Sequence, residues 1–305
     1  MSKPRIAFVG SGGASKGVAH LGAFKAMEEL GIEPDILVGA SAGAIVSSLY
    51  AAGFRSEHMI DWFRPMWQRR EGRGLGVTQF FGLPTREQLS RPGYLTSGLL
   101  SIDRFEAHLR ELLPVNDFES LRKTLLVTAA DVDGRGRTVF GRGYVTDVPV
   151  SKAVAASSCV PVLFRPYRIG DRYYIDGEVV RTLSIDLAVE AGADVVIVSN
   201  VYRPQVTPAR DVSVALRGVS AVARQTLNVV LWEKEKRGID LIHRQYPHVT
   251  VLNVSADLGA FPFTAPLHAK KLIGRGYKEA RRVLGSAQKQ GVFDVRVSMR
   301  PLGEA

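Results

Sequence analysis

Gly39-Ala40-Ser41-Ala42-Gly43 is the stretch of this sequence best suited to covalent chemistry. It follows an apolar run, Asp35 to Val38, and precedes a small-residue run, Ala42 to Ala52, closed by Gly53. It therefore reads as a G-x-S-x-G at a strand-to-helix turn. A nucleophile at such a turn holds a strained backbone, and small neighbours let the chain bend without collision. A helix starting at Ala42 also points its first amides toward the serine, favouring negative charge that develops there. On these five residues alone, a Gly/Ala packing turn explains the pattern equally well.

Val9 through Gly17 reads Val-Gly-Ser-Gly-Gly-Ala-Ser-Lys-Gly, a second strand–loop–helix junction. Glycines there let amide N–H groups converge on an anion, and the following helix adds its positive end. A dinucleotide fingerprint would need a third glycine where Ser15 stands, and a phosphate-binding loop would need its lysine after Gly17. An oxyanion hole is the better expectation. An amide nest on one loop and a serine elbow on the next are two of the parts acyl transfer requires. Neighbouring parallel strands would bring both to the carboxyl end of one sheet.

The surrounding pattern supplies such a sheet. Apolar runs alternate with helical periodicity, which predicts an α/β fold with a mostly parallel central sheet and helices on both faces. Strands are expected at Arg5 to Val9, Asp35 to Val38, Leu125 to Ala130, Arg172 to Ile175, Val195 to Val198, Val249 to Val254 and Val292 to Val297. Lys16 to Leu30 reads as an amphipathic helix stopped by Gly31, and 210–245 and 266–289 read as further helices. Residues 54–104 mix Trp62, Phe63, Trp67, Phe80, Phe81 and Tyr94 with Gly, Pro and Arg. They are expected to form a helical and loop insertion that caps the site within one domain spanning 1–305.

Composition narrows the partners. Forty Lys and Arg against thirty Asp and Glu leave +10 over 305 residues. That excess favours an anionic partner, and the scattered basic residues carry no nucleic-acid-reading motif, so no nucleic acid is expected. A single cysteine, Cys159, excludes an internal disulfide. Only four apolar residues, Ile6 to Val9, follow the basic start, too few for a signal-peptide core. No run approaches the roughly 18 continuous apolar residues of a spanning helix. A cytoplasmic protein is the expectation.

Four blocks in order make the chain resemble the patatin-like phospholipases. They are Gly12-Gly13-Ala14-Ser15-Lys16-Gly17 with His20-Leu21-Gly22, then Gly39 to Gly43, then Ala155-Ala156-Ser157-Ser158-Cys159-Val160-Pro161, then Tyr174-Ile175-Asp176-Gly177. The resemblance covers about residues 5 to 200 and implies a three-layer sandwich and a lipid acyl hydrolase with a Ser–Asp dyad. It implies Ser41 as nucleophile, Asp176 as base, amides of Gly12, Gly13 and Ala14 as oxyanion hole, and Lys16 as an anion-binding or loop-orienting group. No cofactor or metal is needed for such chemistry. The substrate would be a phospholipid, lysophospholipid or other acyl ester, with peripheral contact at an anionic membrane. The alternatives are an esterase or thioesterase of other substrates and a non-catalytic lipid-binding regulator on the same scaffold.

Three places in the chain depart from the family pattern. Ala14 replaces a third loop glycine, and Arg181-Thr182-Leu183-Ser184 replaces a common Asn and Pro. Glu178 stands where Gly or Ala is usual, and is expected to raise the Asp176 pKa or repel an anionic substrate. Among other residues, His20 is expected to pack or orient the first loop, and Cys159 to be buried filler. Asp131, Asp133 and Gly134 suggest a turn, and His243, His248 and His268 lie in no pattern suited to a triad.

Overall fold

Uncharged apolar runs four to six residues long cannot satisfy their backbone polar groups in the interior unless they pair, and here they pair as parallel strands. The computed structural model describes residues 3–68, 100–161, 163–180, 183–201, 213–259 and 268–294. Strands β1 (Ile6–Gly10), β2 (Ile36–Gly39), β3 (Thr124–Asp131), β7 (Val195–Ser199) and β8 (Thr250–Asn253) form the parallel centre, in the order β3-β2-β1-β7-β8. Three antiparallel strands extend it beyond β3: β4 (Gly136–Phe140), β5 (Tyr167–Ile169) and β6 (Arg172–Asp176).

Alternate strand residues feed opposite faces, as the pleat requires. One face buries Phe8, Leu37, Leu125, Val127 and Ile197 beneath α1 (Ala19–Glu29), α2 (Ala42–Ala51), α3 (Ser56–Gln68), α4 (Asp103–Leu112) and α5 (Val150–Ser157). The other buries Ala7, Val9, Ile36, Val38, Val196 and Val198 beneath α6 (Ile185–Glu190). The three layers expected from the sequence are present. After β7 come α7 (Val219–Gln245) and α8 (Ala269–Lys289), the latter packed on α1. Among the described residues, no helix is long and apolar enough to cross a membrane.

Some boundaries differ from expectation for local reasons. The helix expected at Lys16 begins as a 3-10 turn over Ala14–Val18 before α1, and Gly31 closes it with φ 69°. Gly218, at φ 89°, separates a 3-10 turn (Val214–Arg217) from α7. The strand expected from Val292 does not start there. Gly291, at φ 73°, follows α8 and opens a turn in which the Asp294 amide bonds its carbonyl at 3.1 Å. Residues 295–297 lie outside the described residues. Most of the expected cap also lies outside them, apart from 54–68 and 100–104.

Candidate active site

β2 ends at Gly39 and α2 begins at Ala42, so the chain reverses across Ala40 and Ser41. Ser41 takes φ 50° and ψ −120°, a left-handed conformation that costs a residue with a Cβ roughly 1–3 kcal/mol. Close backbone contacts enforce the bend. A Cβ on Gly43 would stand 2.1 Å from the Gly10 carbonyl oxygen, so only glycine lets α2 approach β1 this closely. The Gly43 amide donates to the carbonyls of Ala40 (2.9 Å) and Ser11 (3.1 Å), tying elbow to first loop. The Ser41 amide donates to Ser157 Oγ (2.8 Å), and that hydroxyl donates to the Thr128 carbonyl (2.7 Å).

Ser11 clamps the first loop. Its amide donates to the Ser199 carbonyl (3.1 Å), its hydroxyl donates to the Gly12 carbonyl (2.9 Å), and the Val201 amide donates to that hydroxyl (2.9 Å). His20 completes the clamp from within α1. Its Nε2 lies 2.9 Å from the Ser11 carbonyl and its Nδ1 2.8 Å from Ser199 Oγ. A carbonyl can only accept, so Nε2 carries the proton and Nδ1 accepts from Ser199. Burial pushes the imidazole pKa down to about 4, against the Ser11 hydrogen bond, which keeps the ring neutral. His20 thus orients the loop, as expected. Ala14 holds φ 48°, a conformation glycine would adopt at no cost. Lys16, partly buried in the 3-10 turn, has its ammonium pKa lowered by burial and opposed by the Asp257 carboxylate.

Asp176 arrives from the other side. It ends β6 opposite Ala129 of β3, and its amide donates to the Cys159 carbonyl (2.9 Å). A side-chain hydrogen bond joins Ser41 to its carboxylate, and the Glu178 amide donates to Oδ1 at 3.0 Å. Burial nevertheless pushes its pKa up to about 6, with these two hydrogen bonds opposing. The nearby Glu178 carboxylate is expected from the sequence to raise that pKa or to repel an anionic substrate. Burial raises it, while the Glu178 backbone amide lowers the value. The Glu178 side chain turns to the first loop, where Oε1 accepts from the Gly12 amide at 2.7 Å.

Ser41, Asp176 and Gly12 therefore meet at the carboxyl end of the parallel strands, with Gly13, Ala14 and Lys16 following along the same loop. Cys159 is buried, with its thiol pKa raised by burial, and its Sγ–H reaches the Ala155 carbonyl at 3.4 Å. Asp131 and Asp133 do form a turn, the Asp133 amide donating to Asp131 Oδ1 at 2.9 Å. His248 lies edge-on to Tyr246, His268 precedes α8, and the His243 side chain lies outside the described residues. Among the described residues no group of three or more His, Cys, Asp or Glu could hold a metal. Sequence reasoning missed Ser11, Ser157 and Ser199, which hold the loops. It also missed the bidentate pair of Arg137 with buried Asp186 (3.1 and 2.7 Å), which fastens α6 to β4. The signal for Ser199 was a polar pair, Ser199-Asn200, ending an apolar run.

A family model described as Patatin-like phospholipase matches residues 8–189, a span that includes both Ser41 and Asp176. The chain is 28% identical over 211 residues to the Uncharacterized NTE family protein Rv1063c of Mycobacterium tuberculosis, covering 69% of this chain and 52% of that protein. It is 23% identical over 190 residues to the Probable lipid hydrolase 463L of Invertebrate iridescent virus 6, covering 59% and 62%. It thus spans about half to three fifths of the length of these curated relatives. Among solved structures, VipD from Legionella pneumophila is similar with a TM-score of 0.48 at 14% identity, over 94% of this chain and 67% of that one.

Proposed function

We propose, because this chain belongs to the patatin-like phospholipase family, that it hydrolyses the acyl ester of a lipid through Ser41 and Asp176. The observation that carries the proposal is the hydrogen bond between the Ser41 hydroxyl and a buried carboxylate whose pKa is lifted to about 6. Such a carboxylate is still mostly ionised at pH 7, yet it is a stronger base than an exposed aspartate. Ser41 Oγ attacks the ester carbonyl while Asp176 accepts its proton. The tetrahedral oxyanion takes the amides of Gly12, Gly13 and Ala14, the first of them once its bond to Glu178 is broken. Collapse expels the alcohol, which takes the proton from Asp176 and leaves an acyl-serine. Water then attacks, gives a proton to Asp176, and the second collapse returns that proton to Ser41 and frees the fatty acid. Lys16 stands on the loop as the cation for an anionic head group, and the net charge of +10 suits a negatively charged lipid surface.

Ser41→Ala and Asp176→Asn are each expected to abolish hydrolysis of a p-nitrophenyl ester, with a fluorophosphonate probe labelling Ser41 in the wild type. Hydrolysis by Ser41→Ala at the wild-type rate would overturn the assignment. One observation favours a second reading, a lipid-binding protein that does no chemistry: the Gly12 amide is already engaged by Glu178. Salt-sensitive binding to anionic vesicles without any labelling of Ser41 would select it.

A further inference from the structure

We infer that Glu178 is an internal occupant of the oxyanion hole, which a substrate must displace before Ser41 can react. The inference rests on the hydrolase reading above and adds a residue that sets access to the same site. Gly12 has one amide proton, and Glu178 Oε1 accepts it at 2.7 Å. That proton cannot be given at full strength to a carboxylate and to a tetrahedral oxyanion at once. Position agrees with competition. A Cβ on Gly12 would lie 2.8 Å from Glu178 Cγ and 3.0 Å from Ser41 Cβ, so the glutamate stem and the nucleophile crowd the same side of Gly12. Glu178 is buried, so the carboxylate stands inside the site, not in solvent at its mouth.

Local contacts define the turn that carries it. Glu178 belongs to a 3-10 helix over Gly177–Val179, its amide bonds Asp176 Oδ1, and Lys234 from α7 donates to the neighbouring Val179 carbonyl at 2.8 Å. The backbone of residue 178 therefore serves the base while its side chain serves the hole. A glycine at this position would keep the first contact and delete the second. A neutral ester carbonyl is a weaker acceptor than a carboxylate, so the occupant raises the concentration of ester needed for reaction and slows acylation.

The test is the second-order rate of Ser41 labelling by an alkyl fluorophosphonate in wild type, Glu178→Gly and Glu178→Gln, with kcat and KM for p-nitrophenyl butyrate. Glu178→Gly is expected to label about tenfold faster, the scale of one charge-assisted hydrogen bond, with KM lowered and kcat not reduced. Glu178→Gln keeps the shape but offers a neutral acceptor, so its rate should fall between the two. It also carries the test if Glu178→Gly folds poorly. Labelling of Ser41 in all three proteins with neither variant faster than wild type would overturn the inference and leave the hydrolase reading standing. Failure to label Ser41 in any of them would overturn both.

Discussion

Replacing Asp176 by Asn is expected to silence the protein and, at neutral pH, to make it more stable. A carboxyl whose pKa is higher in the folded than in the unfolded chain holds its proton more tightly when folded. Its contribution is therefore fully present below the unfolded value of 3.8 and is lost as pH rises to about 6 and beyond. The difference amounts to roughly 3 kcal/mol at pH 7 and about 0.6 kcal/mol at pH 4. Asparagine never ionises, and its carbonyl still accepts from the Glu178 amide. At pH 8 the Asn variant should melt about 6 °C above wild type, taking about 2 °C per kcal/mol for a domain this large. At pH 4 the two curves should nearly coincide. Thermal unfolding at both values, scanned at one rate, decides the matter. An Asn variant no more stable than wild type at pH 8, or an advantage that persists at pH 4, would refute burial as the source of the raised pKa.

Further perturbations probe the same frame. In wild type, kcat/KM for a neutral ester should rise with pH through an apparent pKa of about 6, because only the ionised Asp176 accepts the Ser41 proton. His20, held near 4, adds no inflection between pH 5 and 9, so a flat profile from pH 5 to 7 would contradict Asp176 as base. Gly43→Ala places a Cβ 2.1 Å from the Gly10 oxygen and should cost about 3 kcal/mol or more, read as lost soluble yield or a sharply lower Tm. Arg137→Ala removes the bidentate partner of buried Asp186 and should cost about 3 kcal/mol by denaturant unfolding, with Arg137→Lys recovering only part.

The elbow and the first loop were legible because their signals are local. Gly39 and Gly43 mark backbone approaching backbone, Gly12 leaves room for the Glu178 and Ser41 side chains, and the apolar runs before them fix the strands. Asp176 was legible by resemblance alone, since no spacing ties it to Ser41. The contacts that brace the site were not legible. Ser157 meets the Ser41 amide and Glu178 meets the Gly12 amide across 116 and 166 residues of sequence, and such side-chain-to-backbone bonds leave no periodicity. β4 and β5 escaped for another reason. In β4 only Val139 and Phe140 are buried, and β5 has no buried residue to mark an inward face.

Ser41 and Asp176 are anchored unequally. Ser41 is bolted between β2 and α2 in the middle of the parallel strands, whereas Asp176 ends a strand joined to β3 by three residue pairs, with only β5 outside it. Fraying of that hairpin corner costs less than melting the centre of the sheet. Each such excursion carries the carboxylate away and leaves the serine where it was. Warming should therefore switch the protein off reversibly before its bulk structure gives way. The ceiling on its working temperature is then set by a few bonds at one border, independent of how well the interior is packed.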